Sequence, residues 1–174
     1  LPPLVALVLI LAGSVVLARL VQVGGDWAIK RLTKRIPGDV DDVALKTVHP
    51  ALYASVLLAG AYYALEPLSL GVVQLPPGID NNLRASILSV GVVVWAYTLV
   101  RLGRRVSDAI VSAENSDGSV VPIFQNVWTA SLIGLSAFVL LELWNKDVTP
   151  LLASAGVIGI IVGFAARDTI ANLF

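Results

Sequence analysis

Apolar residues fall into five long runs along the chain, each broken by only a few polar positions. A hydrocarbon layer about 30 Å thick is crossed by roughly 20 mostly apolar helical residues. Runs over 4–23, 47–65, 83–102, 120–144 and about 151–174 approach that length, so each predicts a membrane-crossing helix. None carries the full polar face that a helix bathed in water presents. The first run is interrupted only by Gly13, Ser14, Arg19 and Gln22, and its basic residues follow it, unlike those of a signal peptide. Pro50 stands near the start of the second run, and Glu66-Pro67 is expected to end it. Pro122 suits the first turn of the fourth helix, with Asp117 or Ser119 as cap.

The connections add detail. Pro37-Gly38-Asp39 predicts a turn. Asp41-Asp42 precedes an amphipathic run that would start a helix on the membrane surface. Arg104–Ala113 is expected to extend the third helix out of the membrane, ahead of a break at Asn115–Ser119. Of the twelve Lys and Arg residues, ten lie on alternate connections: Arg19, Lys30, Arg31, Lys34, Arg35, Lys46, Arg101, Arg104, Arg105 and Arg167. Only Arg84 and Lys146 lie on the other side. The positive-inside rule makes the basic side cytoplasmic. The segment would then start outside, and the fifth helix would run inward. The Pro/Gly-rich stretch Pro67–Asn82 is expected to be an outer loop. Trp27, Tyr53, Trp128 and Trp144 fall near predicted interfaces, as aromatic anchors do. Trp95 and Tyr97 lie deeper and are expected to pack.

Composition narrows the function. Hydrophobic residues make up 57% of the chain and charged ones 14%, against about 25% in a soluble domain. The balance of 12 basic and 12 acidic residues gives no field for nucleic acid. With no cysteine and one histidine, His49, neither thiolate metal sites nor a histidine-rich centre is expected. No cofactor and no enzymatic activity are expected. The chain lacks methionine and begins Leu1-Pro2-Pro3, so it is expected to be an internal piece of a longer protein.

The fifth run, LLASAGVIGIIVGFAARDTIANLF, is the most informative. Each glycine in a helix interior costs about 1 kcal/mol relative to alanine. Here Gly156, Gly159 and Gly163 recur among Ala153, Ala155, Ala165 and Ala166. At roughly 100° per residue, Gly156, Gly159, Gly163 and Ala166 lie within about 80° of one another. Such a stripe permits close backbone approach between helices in lipid. It suits an ordinary buried helix. A second reading is a ring of copies, with Ile160 and Phe164 on the neighbouring face forming two stacked apolar rings that block ions by dewetting. Beyond the glycines, Arg167, Asp168 and Asn172 form either a solvated helix end or a bend at an inner mouth.

The run Val148-Thr149-Pro150-Leu151-Leu152-Ala153 followed by AGVIGIIVGFAARDTIANLF resembles the pore helix of the small-conductance mechanosensitive channel (MscS-like) family. DDVALKTVHPAL and VVPIFQNVW resemble segments that lead into earlier helices of that family. The resemblance implies an all-α transmembrane fold with five helices per subunit, the C-terminal helix lining a symmetric pore in a homo-heptamer. Residues 1–144 would be the peripheral, tension-sensing helices. Residues 145–174 would be the pore-lining helix, with the family's cytoplasmic vestibule beyond it. Ala153, Gly156, Gly159, Gly163 and Ala166 would be packing positions, Ile160 and Phe164 the constriction, and Asn172 the asparagine just past the bend. Arg167 stands where the family usually has glutamine, Asp168 where some members have a hinge glycine, and Phe164 where leucine is common.

The implied function is a tension-gated channel in the cell membrane, surrounded by lipid, that releases ions and small solutes under hypoosmotic stress. A secondary transporter and a structural membrane anchor are the alternatives. Transporters place ionisable groups and broken helices near the midplane, whereas Arg19, Glu66 and Glu142 fall near predicted helix ends.

Overall fold

A computed structural model describes residues 2–32, 39–71, 76–114 and 121–171. These form five helices in order: α1 (Pro3–Leu32), α2 (Asp39–Gly71), α3 (Pro77–Glu114), α4 (Val121–Leu143) and α5 (Thr149–Ala171). No strand occurs among the described residues. Every helix contains a stretch long and apolar enough to cross a membrane: Pro3–Gly25, Leu45–Ser69, Gly78–Asp108, Val121–Leu143 and Thr149–Arg167. The chain is therefore all-helical, with the composition of a multi-pass membrane protein.

The first three helices are longer than their apolar runs. α3 has 38 residues and is about 57 Å long at 1.5 Å per residue, well beyond the hydrocarbon layer. The amphipathic run after Asp41-Asp42 forms the opening turns of α2 and not a separate surface helix. Pro67 does not end α2, which continues to Gly71. Proline removes one backbone bond, that of the Tyr63 carbonyl, but the adjoining turn is supported by Ser69, whose hydroxyl donates to the Glu66 carbonyl at 3.0 Å. Of the expected outer loop Pro67–Asn82, residues 67–71 belong to α2 and 77–82 to α3, and residues 72–75 lie outside the described residues. Pro77 opens α3 at the first helical position, where its missing N–H costs nothing. The Pro37-Gly38 turn and the Asn115–Ser119 break lie outside the described residues.

Each of the first four helices packs on its neighbour in sequence, α1 on α2, α2 on α3 and α3 on α4. The pairing is antiparallel throughout, because the contacts run in opposite directions along each pair. On α1 and α2, Ser14 sits against Gly60, and His49 sits against Gly25. The His49 Nε2–H donates to the Val21 carbonyl at 3.1 Å. On α2 and α3, Trp95 donates its indole N–H to Ser55 Oγ at 2.9 Å, and Arg105 donates to Thr47 Oγ1 at 3.0 Å. On α3 and α4, Trp128 donates to the Leu99 carbonyl at 3.0 Å with its ring over Gly103, and Gln125 donates to Asp108 at 2.9 Å.

The row has almost no enclosed core. Its buried residues are small ones such as Ala18, Ala51, Ala64 and Ala85, with Ser14, Thr47, Thr98 and Ser107. No large side chain among the described residues is fully buried, while leucines, valines and isoleucines line the outside. This is the reverse of a water-soluble bundle and suits helices whose solvent is lipid. Ser14, Thr98 and Ser107 bond back to their own helices, to Leu11 O at 2.8 Å and to Val94 O and Gly103 O at 2.7 Å, whereas the buried Thr129 hydroxyl finds no partner among the described residues. Trp95 packs as expected. Tyr97 does not: two residues further along α3 it is turned about 200° away and is 65% exposed.

A Cβ at Gly60 would coincide with Ser14, whereas one at Gly134 would meet nothing within 4 Å. Gly60→Leu is therefore expected to destabilise the α1–α2 pair by about 1–3 kcal/mol. Gly134→Leu is expected to be neutral. Thermal unfolding in detergent checks this, and equal midpoints for the two variants would contradict the packing described.

Candidate functional site

α5 departs from the rule that governs the row. It makes no extended packing contact with any of the other four helices. Every side chain from Thr149 to Ala165 is exposed, and Ala166 is half-exposed. The helix is also apolar on all sides until Arg167. Its three glycines look onto open space, because a Cβ built at Gly156, Gly159 or Gly163 has no neighbour within 4 Å. Gly25, Gly60 and Gly103 in the row each receive a side chain of an adjacent helix, while Gly13, Gly24 and Gly134 are open. Among the described residues, no side chain of the chain itself reaches the α5 stripe.

Ile160 and Phe164 stand one helical turn apart, about 6 Å along the axis, and are 61% and 69% exposed. Ala153, Gly156, Gly159, Gly163 and Ala166 lie on the same helix, so the predicted packing and constriction residues share one element. Arg167 is exposed and Asp168 follows it inside a helix that continues to Ala171. Asn172 and the side chain of Asp168 lie outside the described residues.

What holds α5 in place is the corner at residues 144–148. α4 ends in a Schellman turn: the Lys146 N–H donates to Leu141 O and the Asn145 N–H to Glu142 O, each at 2.9 Å. The turn requires a left-handed residue, and Asn145, at φ 52°, supplies it. Asparagine tolerates that region better than most side chains. On the α5 side, Asp147 Oδ1 accepts the Thr149 N–H at 2.9 Å. Pro150 then sits in the first turn, where a missing N–H leaves nothing unpaired. Trp144 donates its indole N–H to Ser89 Oγ on α3 at 3.0 Å. The sequence reading treated Trp144 as an interfacial anchor and passed over Asn145 and Asp147. An asparagine directly after an apolar run, and an aspartate two residues before a helix, are the signals that mark them.

The remaining polar chemistry is structural in form. At the α2–α3 end opposite Arg105, Arg84 Nε donates to Asp80 Oδ2 at 3.0 Å, and its guanidinium carbon lies 5.0 Å from the centre of the Tyr62 ring. No group of three or more His, Cys, Asp or Glu residues placed to hold a metal ion occurs among the described residues. His49, the single histidine, is engaged between α1 and α2. Comparison of the chain with protein-family models, curated proteins and solved structures gives no match.

The hydrogen bonds from Thr149 hold the Asp147 carboxyl below the usual carboxylate range. A lowered folded-state pKa favours the ionised form, so the contribution is present above the unfolded pKa and is lost as pH falls through the lowered value. The corner is therefore expected to stay closed at neutral pH and to loosen only in acid below the ordinary aspartate range. Asp147→Asn should remove that pH dependence. Following the Thr149 amide resonance of isotope-labelled protein against pH tests this, and a midpoint at or above the ordinary value would contradict it.

Proposed function

We propose that this chain is the membrane sector of a tension-gated channel of the small-conductance mechanosensitive type. Copies of α5 stand side by side around an axis, seven by the resemblance. The observation that carries the reading is the unpartnered glycine stripe of α5. Three interior glycines cost a helix about 1 kcal/mol each. A helix solvated by lipid alone recovers none of that, whereas close approach of another helix does. Among the described residues, no element of the chain itself makes that approach. A neighbouring copy would present the same helix and satisfy the same stripe.

In such a ring, Ile160 and Phe164 face the axis on successive turns and dry the passage, so the closed state needs no charge and no plug. Lateral tension then favours whichever state occupies the larger in-plane area, and the population shifts accordingly. The α1–α4 row supplies the lipid-facing surface on which tension acts. Permeating ions and small solutes leave past Arg167 at the inner mouth, where a ring of guanidinium groups favours anions. The basic connections lie in the cytoplasm, and α5 runs inward across the cell membrane. A structural anchor is the competing reading, and it assigns the stripe no partner.

Excised-patch recording of the full-length protein under graded suction is the deciding experiment, with a tension-dependent current expected and its absence fatal to the proposal. Phe164→Ser removes roughly 2 kcal/mol of apolar preference per side chain. It is expected to raise the resting open-to-closed ratio more than about tenfold. An unchanged threshold without leak would count against the constriction. Gly159→Leu places a bulky side chain in the stripe at a cost of about 1–3 kcal/mol per contact. Loss of the oligomer, read as native mass in detergent, is expected, and retained assembly with normal gating would refute the packing and favour the anchor.

A further inference from the structure

Because α5 packs on no other helix of its chain, displacement of the row reaches it through the corner at residues 144–148. That corner has little slack. Two backbone bonds close the Schellman turn, Asn145 is left-handed, and Asp147 ties the first turn of α5. One bond fastens the corner to a helix other than α4. The Trp144 indole N–H donates to Ser89 Oγ at 3.0 Å, and the Ser89 hydroxyl donates onward to the Ala85 carbonyl of α3 at 2.7 Å. The indole is thereby relayed onto the α3 backbone. α3 is packed on both sides, by α2 and α4, and so moves with the row. Towards this end of α4, Leu135 and Val139 face Leu88 and Gly91 of α3 through apolar surfaces, and the Trp144 bond adds a directional tie. The Trp128 and Gln125 bonds lie towards the other end of α4.

The geometry points to Trp144 and Ser89 as a force-transmission latch that couples displacement of α3 to the first turn of α5 and sets the tension at which the pore opens. This rests on the channel reading above. Neither residue lines the proposed pore, so the latch acts by positioning α5 and leaves the conduction path alone. Indole to phenyl, or serine to alanine, removes the bond while keeping most of the packing. Both changes remove the Trp144–Ser89 bond, and Ser89→Ala also removes the local bond to the Ala85 carbonyl within α3.

Patch recordings of the full-length protein in one lipid mixture would compare the wild type with Trp144→Phe, Ser89→Ala and the double variant. At the tension that half-opens the wild type, each single variant is expected to lower the open-to-closed ratio by up to about fivefold per subunit, the full weight of one hydrogen bond when it is made in the open state alone. The double variant is expected to add nothing further, since the two residues share one interaction. Unitary conductance and oligomer mass should stay at their wild-type values. Unmoved midpoints, additive shifts, or a change in conductance or mass would each overturn the latch. If the wild type gates while the variants do not shift, only the latch fails. If the wild type passes no current under suction, the channel reading fails and takes the latch with it.

Discussion

The structure depends on how two helices come close when lipid, not water, surrounds them. Burial of apolar side chains yields little there, because the surroundings are as apolar as the core. The chain instead pairs a small residue on one helix with a side chain from an adjacent one: Gly60 with Ser14, Gly25 with His49, Gly103 with Trp128. Indole N–H groups add direction. Trp95 reaches Ser55, Trp128 reaches Leu99 O and Trp144 reaches Ser89. In two of these the serine is already donating to its own helix, to Ala51 O and Ala85 O, so the hydroxyl both gives and receives a hydrogen bond. In a low-dielectric medium an unpaired N–H is costly, so such bonds specify which helix lies against which.

α5 carries three interior glycines on one face, Gly156, Gly159 and Gly163, and all three are vacant. Its glycines have the same character as those of the row but receive no side chain. α5 is held in place by a built corner, closed by Asn145 and Asp147 and fastened to α3 by Trp144. A helix presented by a rigid corner and unclaimed by its own chain is suited to association with other copies, and this links the fold to the proposed channel.

The arrangement also separates mechanical roles. Long helices in a single antiparallel layer expose a broad apolar surface and enclose little of their own. The α4–α5 corner is the narrow place where that layer meets α5. A layer of this kind holds together pair by pair, so a change at one notch weakens its own pair first.

The five spans and their order were legible in the sequence, because the length and continuity of an apolar run report on the membrane thickness directly. α4 matched its apolar run to within a residue at each end. Helix ends were less legible. Pro67 reads as a terminator, yet near a helix end a single lost backbone bond is tolerable, and α2 runs on. The glycine stripe, Ile160 and Phe164 could be placed on faces of one helix from their spacing, since 3.6-residue periodicity is a local property. Only the tertiary structure decided which glycines are filled and which are open. Gly60 and Gly159 look alike in sequence, and what distinguishes them is the side chain another helix brings. The same holds for Trp144 and Ser89, far apart along the chain and joined because antiparallel packing brings the end of α4 beside them.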